Sequence, residues 1–444
     1  MRQSVRLNTS LGNLKPLTMH KSDVTLRKEK VPLFRPFRHR TFRHLCVANF
    51  MANIGSWMQI FATGWLVASQ TRDPSVAALA QTLTQIPVFL FSVMGGVLAD
   101  RYATYRYLGG VNSMMFLSAA VLGGISVFAT PEISVIFLFT FLTATGTALK
   151  ASGWQASMSS MVEPDEIEAA ATLNGLSYNL ASVIGPSLGS LLFLLAGPSI
   201  LYFTHALCLA SLVMIYIWMQ RRDHQAVSQK RQSYSALLAE GMKVSAGNQH
   251  FRSILFTTVI VFFSVSTFQA LLPAYVSLAL NEDSHALALL MSGFGCGAVI
   301  SAFALPTLRS VFERHQLLGG AALIYGISLL VFSATLPMVA LVPVAVVGGF
   351  SWAAIVSTLN SAAQSVFGVS VRARALSVYS MCFYGALTLG SLTWGKVSGL
   401  LTIRSAFLIA GCLMICTALY VWAARKTADE NTGHNLASDL TDKR

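Results

Sequence analysis

Gly95-Gly96-Val97-Leu98-Ala99-Asp100-Arg101-Tyr102-Ala103-Thr104-Tyr105-Arg106-Tyr107-Leu108 is a short charged turn between two long apolar runs. Residues 77–99 before it and 107–129 after it are each long enough, at about 1.5 Å per helical residue, to cross the hydrocarbon layer of a bilayer. The turn therefore belongs at a membrane face. Asp100, Arg101 and Arg106 place charge at the two helix ends, and Gly95 and Gly96 permit close approach of helices.

The same pattern of apolar runs continues in both directions. Spans fall at 44–69, 77–99, 107–129, 133–160, 168–196, 199–220, 253–280, 285–308, 316–335, 338–364, 374–400 and 404–423. Twelve spans make an all-α polytopic membrane protein and put both termini on one side. A chain of 444 residues that is 54% hydrophobic and 11% charged is too apolar for a soluble domain. The expected divisions are a basic tail over 1–43, a six-helix bundle over 44–220, a polar linker over 221–252, a second bundle over 253–423 and a polar, disordered tail over 424–444. The first tail lacks the apolar core of a signal peptide.

The net charge of +13 is unevenly placed. Lys and Arg crowd the tails, the linker and the loops at Arg101/Arg106, Arg309/Arg314 and Arg372/Arg374, while the other face holds Arg72, Arg404 and Lys396. By the positive-inside rule the tails and the even-numbered loops are cytoplasmic. Anionic headgroups of the lipid bilayer, rather than nucleic acid, answer that charge. The six cysteines all fall within spans, without paired spacing or a nearby histidine cluster, and read as small apolar core residues. No metal site, cofactor or disulfide is implied.

Polar residues inside the spans are the candidates for function. In the first span Asn49, Asn53, Ser56 and Thr63 share a helical stripe, with Gln59 at its edge. Lys150 lies well inside the fourth span, where an ammonium costs at least roughly 2.5–3.5 kcal/mol. Thr143, Thr147, Trp154 and Ser157 share its face. The stripe serves either as a cavity wall or as interhelical packing, and Lys150 either faces the cavity or snorkels to the cytoplasmic end. The fifth span carries Asn174, Tyr178, Gly185, Pro186 and Gly189 along one side, where proline bends the helix and glycine admits a close neighbour. In the second half Gln269, Trp352, Asn360 and Tyr384 are the corresponding cavity candidates. The acidic loop from Glu163 to Glu168 complements the start of the fifth helix and is expected to answer Arg101 and Arg106.

Several of these motifs resemble the major facilitator superfamily. Gly96-x-x-Ala99-Asp100-Arg101 with Arg106 resembles the superfamily's loop between helices two and three, although Ala103, Thr104 and Tyr105 stand where an Asp-Arg-Arg run occurs in the nearest relatives. Gly55-Ser56-Trp57-Met58-Gln59, Trp65-Leu66-Val67, Val76-Ala77 to Gln81-Thr82 and Pro87 are similar to the branch of drug:proton antiporters and siderophore exporters. Gly185-Pro186-Ser187-Leu188-Gly189 is similar to that branch's antiporter signature on helix five. The resemblance implies two bundles rocking about a central site. It also implies a cytoplasmic gate of Gly96, Asp100, Arg101 and Arg106, and a functional kink at Gly185, Pro186 and Gly189.

No paired carboxylates, histidine cluster or phosphate-cradling loop appears, so no catalytic residue is assigned. Every Asp and Glu reads as tail, loop or helix end, which leaves Asp100, Glu168, His205 or Lys150 to couple transport to protons. A cavity offering a lysine with Trp154, Tyr178, Tyr384 and Trp352 suits an anionic or neutral, partly aromatic small molecule such as a siderophore. The expectation is a monomeric exporter of the bacterial inner membrane. Multidrug or macrolide efflux is the alternative on the same fold, a non-transporting receptor or scaffold is one of a different class, and a membrane-embedded enzyme is a third.

Overall fold

The structure, a computed structural model, describes residues 32–221, 242–334, 336–367 and 369–441. Most of the expected first tail, through residue 31, and residues 222–241 of the expected linker lie outside the described residues. Every regular element among those described is helical. The reason is the solvent: lipid offers no partner to a backbone N–H or C=O, so each crossing segment must satisfy its own.

A 3₁₀ turn at Arg35–Arg38 precedes α1 (Arg40–Gln70). It is followed by α2 (Pro74–Arg101), α3 (Thr104–Phe128), α4 (Ile133–Ser160) and α5 (Ile167–Gln220). The second half contains α6 (Gln249–Ala274), α7 (Ser284–Val311), α8 (Arg314–Ser333), α9 (Met338–Ser365), α10 (Val369–Leu400) and α11 (Ile403–Thr441). Eleven of these segments are long and apolar enough to cross a membrane. The 54-residue α5 holds two crossings, because Gly197 at φ 73°, ψ −168° breaks it just before Pro198. Only glycine adopts that conformation without strain, and proline cannot continue the preceding hydrogen-bond ladder. The arms before and after Gly197 are called α5a and α5b, and they complete the twelve spans.

In the first bundle α1 packs on α5a, α3 on α5b, and α4 on α2 and α3. In the second, α7 packs on α9, α8 on α9 and α11, and α6 on α10 and α11. The α7–α9 contact is the closest: a Cβ at Gly297 would collide with the Val346 carbonyl. The bundles meet through α2 against α10 and α5a against α7. Ser75 Oγ donates to the Gly395 carbonyl at 3.0 Å, Thr82 and Ser391 share a hydrogen bond of 2.9 Å, and Ser187 and Ser292 one of 2.7 Å. These bonds lie in the half of the molecule that carries the α1–α2 loop. They hold the bundles together at the end away from the Arg101 turn.

Some expectations are corrected. The helix entering the first span begins at Arg40, and the last nine residues of the expected tail are built into the fold with it. Residues 242–247 of the linker are helical, and 249–252 open α6. Beyond residue 424 the chain is helical to Thr441. Cys412 and Cys416 are exposed rather than core, a full turn apart on one face of α11, where a thiol is apolar enough to meet lipid.

Candidate functional site

Helices α1, α4 and α5a bring together a polar wall. Lys150 Nζ donates to Asn49 Oδ1 at 3.4 Å, so the lysine turns sideways toward α1 rather than along α4. Asn49 Nδ2 in turn donates to Asn174 Oδ1 at 3.4 Å, and Trp154 Nε1 donates to the same oxygen at 3.0 Å. One turn further along α1, Asn53 Nδ2 donates to Ser177 Oγ at 3.4 Å. The helical period explains the grouping: Asn49 and Asn53 stand four residues apart on α1, Lys150 and Trp154 four apart on α4, and Asn174 and Tyr178 four apart on α5a. Among the described residues the hydrogen-bond acceptor for the ammonium is an amide, which orients it without neutralising it.

Gln59 belongs to a different network. His205 Nδ1 lies 2.6 Å from Gln59 Oε1, Gln59 Nε2 donates to Thr143 Oγ1 at 3.4 Å, and Thr143 and Ser118 share a bond of 3.0 Å. Because an amide oxygen only accepts, this assigns the His205 proton to Nδ1. All four side chains are buried, so the chain ties α5b, α1, α4 and α3 together inside the bundle.

The candidate residues of the second bundle are mostly aromatic. Tyr384 on α10 packs edge-to-face on Phe383 at 4.8 Å, and Phe383 lies 4.2 Å from Phe262 of α6. Trp352 on α9 sits 5.9 Å from Phe294, which stacks on Phe268 at 4.8 Å. Tyr178 of α5a is 46% exposed and its ring lies 5.7 Å from that of Trp57 on α1. Gln269 accepts from Gln81 Nε2 at 3.2 Å, a bond between bundles. Asn360 is exposed and accepts from Gln364 at 3.1 Å.

At the turn that opened the sequence, Gly95 lies against the backbone of α4: a Cβ there would come 3.0 Å from the Leu149 carbonyl. Gly96 has nothing within 4 Å of that position. Arg101 and Arg106 are exposed, while the side chain of Asp100 lies outside the described residues. Gly185 and Gly189 admit α1, with Trp57 Cβ 2.5 Å and Phe61 Cδ1 3.2 Å from where their Cβ atoms would be. Pro186 lies between them inside α5a. An open cleft of about 910 Å³ lined by Arg72, Asp73, Ser75, Lys396 and Gly399 lies at the opposite end of the bundles and contains none of the polar wall.

The acidic loop does not pair with Arg101 or Arg106. Its partners come from the segment before α1: Arg35 reaches Glu163, Asp165 and Glu166, Arg38 reaches Glu163 and Glu166, and His39 Nε2 lies 2.7 Å from Glu166 Oε2. Basic residues are abundant on that face, so spacing alone could not choose among them.

The sequence pattern of a family described as transmembrane secretion effector matches residues 32–439. The staphyloferrin A transporter of Staphylococcus aureus is 21% identical over 384 residues, covering 85% of this chain and 95% of its own. The multidrug efflux pump Tap of Mycobacterium tuberculosis is 21% identical over 385 residues, covering 84% and 90%. Among solved structures, a POT family transporter in complex with a thioalcohol-conjugated peptide superposes with a TM-score of 0.71 at 13% identity, over 87% of this chain and 96% of the other. A bacterial homologue of the iron transporter ferroportin, inward-facing, gives 0.66 at 15% identity, over 85% and 98%. At such identities the structural likeness shows the fold alone.

Proposed function

The chain belongs to the transmembrane secretion effector family, within the major facilitator superfamily, and from that premise we propose that it exports an anionic or neutral siderophore-like molecule by alternating access. The observation that carries this reading is the Lys150 ammonium held by Asn49 inside the bundle. A charge taken out of water and left with a neutral partner is costly, and an arriving carboxylate or catecholate offsets that cost where an amide cannot. The aromatic wall at Tyr178, Tyr384 and Trp352 then suits the apolar body of such a substrate. That one relative is named a staphyloferrin A transporter supports the substrate class.

In this reading the bonds Ser75–Gly395, Thr82–Ser391 and Ser187–Ser292 form the gate that must part for release. The charge asymmetry supports a bacterial inner membrane with both termini in the cytoplasm. Asp100, Glu168, His205 and Lys150 are the groups through which a proton gradient would act, and the Nδ1 bond to Gln59 makes His205 the most constrained of them. A second reading is multidrug efflux. It is favoured by the aromatic wall, which binds planar apolar molecules without regard to charge.

The test is efflux measured in inverted vesicles for a catecholate siderophore and a cationic dye, with and without a proton gradient. Siderophore transport that is lost in Lys150→Ala supports the proposal. Dye transport indifferent to Lys150, with no siderophore flux, rejects it in favour of multidrug efflux.

A further inference from the structure

The segment before α1 is joined to the rest of the first bundle by both charge and packing. Glu166, the residue immediately before α5, has a side chain with 0% exposure, covered by the cations that bind it. Arg35 Nε and Arg38 Nε each lie 3.1 Å from Oε1, His39 Nε2 lies 2.7 Å from Oε2, and the Glu163 backbone N–H donates to Oε2 at 3.3 Å. Beneath this layer Phe37 meets Phe42 edge-to-face at 5.8 Å. Phe42 and Cys46 of α1 share a small separate core with Met158 of α4 and with Ala170 and Leu173 of α5a. The clasp thus ties together the ends of the three helices that build the polar wall.

The lever arms are short. Asn49 lies nine residues into α1, Asn174 seven into α5a, and Lys150 ten before the end of α4. At about 1.5 Å per residue the wall is only about 10–15 Å from the clasp. Its hydrogen bonds at 3.4 Å are near the limit of the interaction, so a slide of α1 by a fraction of a turn breaks them. Further along α5a, Gly185 and Gly189 admit Trp57 and Phe61 of α1 at close range.

We propose that Glu166 with Arg35, Arg38 and His39 is a positioning device that fixes the register of α1 against α5a, at which Asn49 reaches both Lys150 and Asn174. Breaking it leaves the bundle assembled and the wall misaligned. The effect on substrate rests on the export function proposed above; the effect on helix register does not.

The experiment is therefore double. Cysteines placed at Asn49 and Asn174, in a background without the six native cysteines, are oxidised in the membrane, with and without Glu166→Gln. Cross-linking is expected to slow about fivefold or more, because the buried carboxylate shared by Arg35, Arg38 and His39 is lost and Arg35 and Arg38 keep only the exposed carboxylates of Glu163 and Asp165. In the protein with its wall intact, Glu166→Gln is expected to raise the substrate KM about fivefold with kcat changed less than twofold, the pattern of weakened ground-state binding. Arg38→Lys, made in the chain that keeps Glu166, retains a cation on that carboxylate and is expected to leave both readouts within about twofold of the unsubstituted protein. A cross-linking rate within twofold of the control overturns the proposal. Slowed cross-linking in a chain that moves no siderophore upholds the clasp and rejects the export reading. Should Glu166→Gln fail to fold, Arg38→Gln carries the same two measurements, since Arg35 and His39 remain on the carboxylate.

Discussion

The two bundles gather their candidate residues with different chemistry. One offers Lys150, Asn49, Asn174 and Trp154 in a single chain of hydrogen bonds, and the other offers Tyr384, Phe383 and Trp352 in ring contacts. The contrast teaches where discrimination resides. A charge with directional amides selects for the sign and position of a substrate group, whereas aromatic rings accept any flat apolar surface. Under the export function proposed above, this division would have the first bundle decide what is carried and the second how well its body is held.

The largest effect should come from the charge. Lys150→Ala is expected to lower siderophore efflux by about 30-fold or more, in line with truncating one partner of a buried charged contact, and to leave a cationic dye unaffected. An equal loss for both compounds in vesicle assays would erase the contrast between the bundles. Next in size is packing: Gly297→Ala should destabilise by about 1–3 kcal/mol, because α7 would be driven into the Val346 carbonyl of α9. Thermal melting in detergent measures it. Tyr384→Ala and Trp352→Ala should each cost about 3–10-fold in KM for every aromatic substrate tested, which would sharpen the comparison if the loss is indifferent to charge. Asn174→Ala should cost about fivefold, confined to substrates that depend on Lys150.

The smallest effect concerns pH. Burial raises the Glu166 carboxyl, but the hydrogen bonds from His39 and the Glu163 amide and the charge of Arg38 outweigh it, so the folded carboxyl lies below the ordinary carboxylate range. A depressed carboxyl contributes stability that is present above its unfolded value and is lost as pH falls through the folded one. Melting of the protein should therefore be flat across the neutral range with respect to this clasp and should fall only in acid. Glu166→Gln should abolish that acid limb. A clasp that loosens near neutrality in circular-dichroism melts would contradict the assignment.

What could be read from the chain followed from local physics. Apolar run lengths fixed the twelve crossings because the bilayer has one thickness, while the Gly197 break between the fifth and sixth of them came from the structure. Lys150 stood out because an ammonium inside an apolar run is costly wherever its helix packs. Periodicity also put Lys150 with Trp154, and Asn174 with Tyr178, on shared faces. Partnership across helices was not legible. Nothing in the spacing distinguishes a Gln59 that lines a wall from one that accepts from His205, 146 positions away. Nor does it say that Gln269 meets Gln81 across the bundles, or that the acidic loop takes Arg35, Arg38 and His39 in preference to Arg101 and Arg106. Burial and helix period are properties of one segment against its solvent, so the sequence determines them alone. Which polar group answers which depends on the relative rotation and slide of packed helices, and only the tertiary structure decides that.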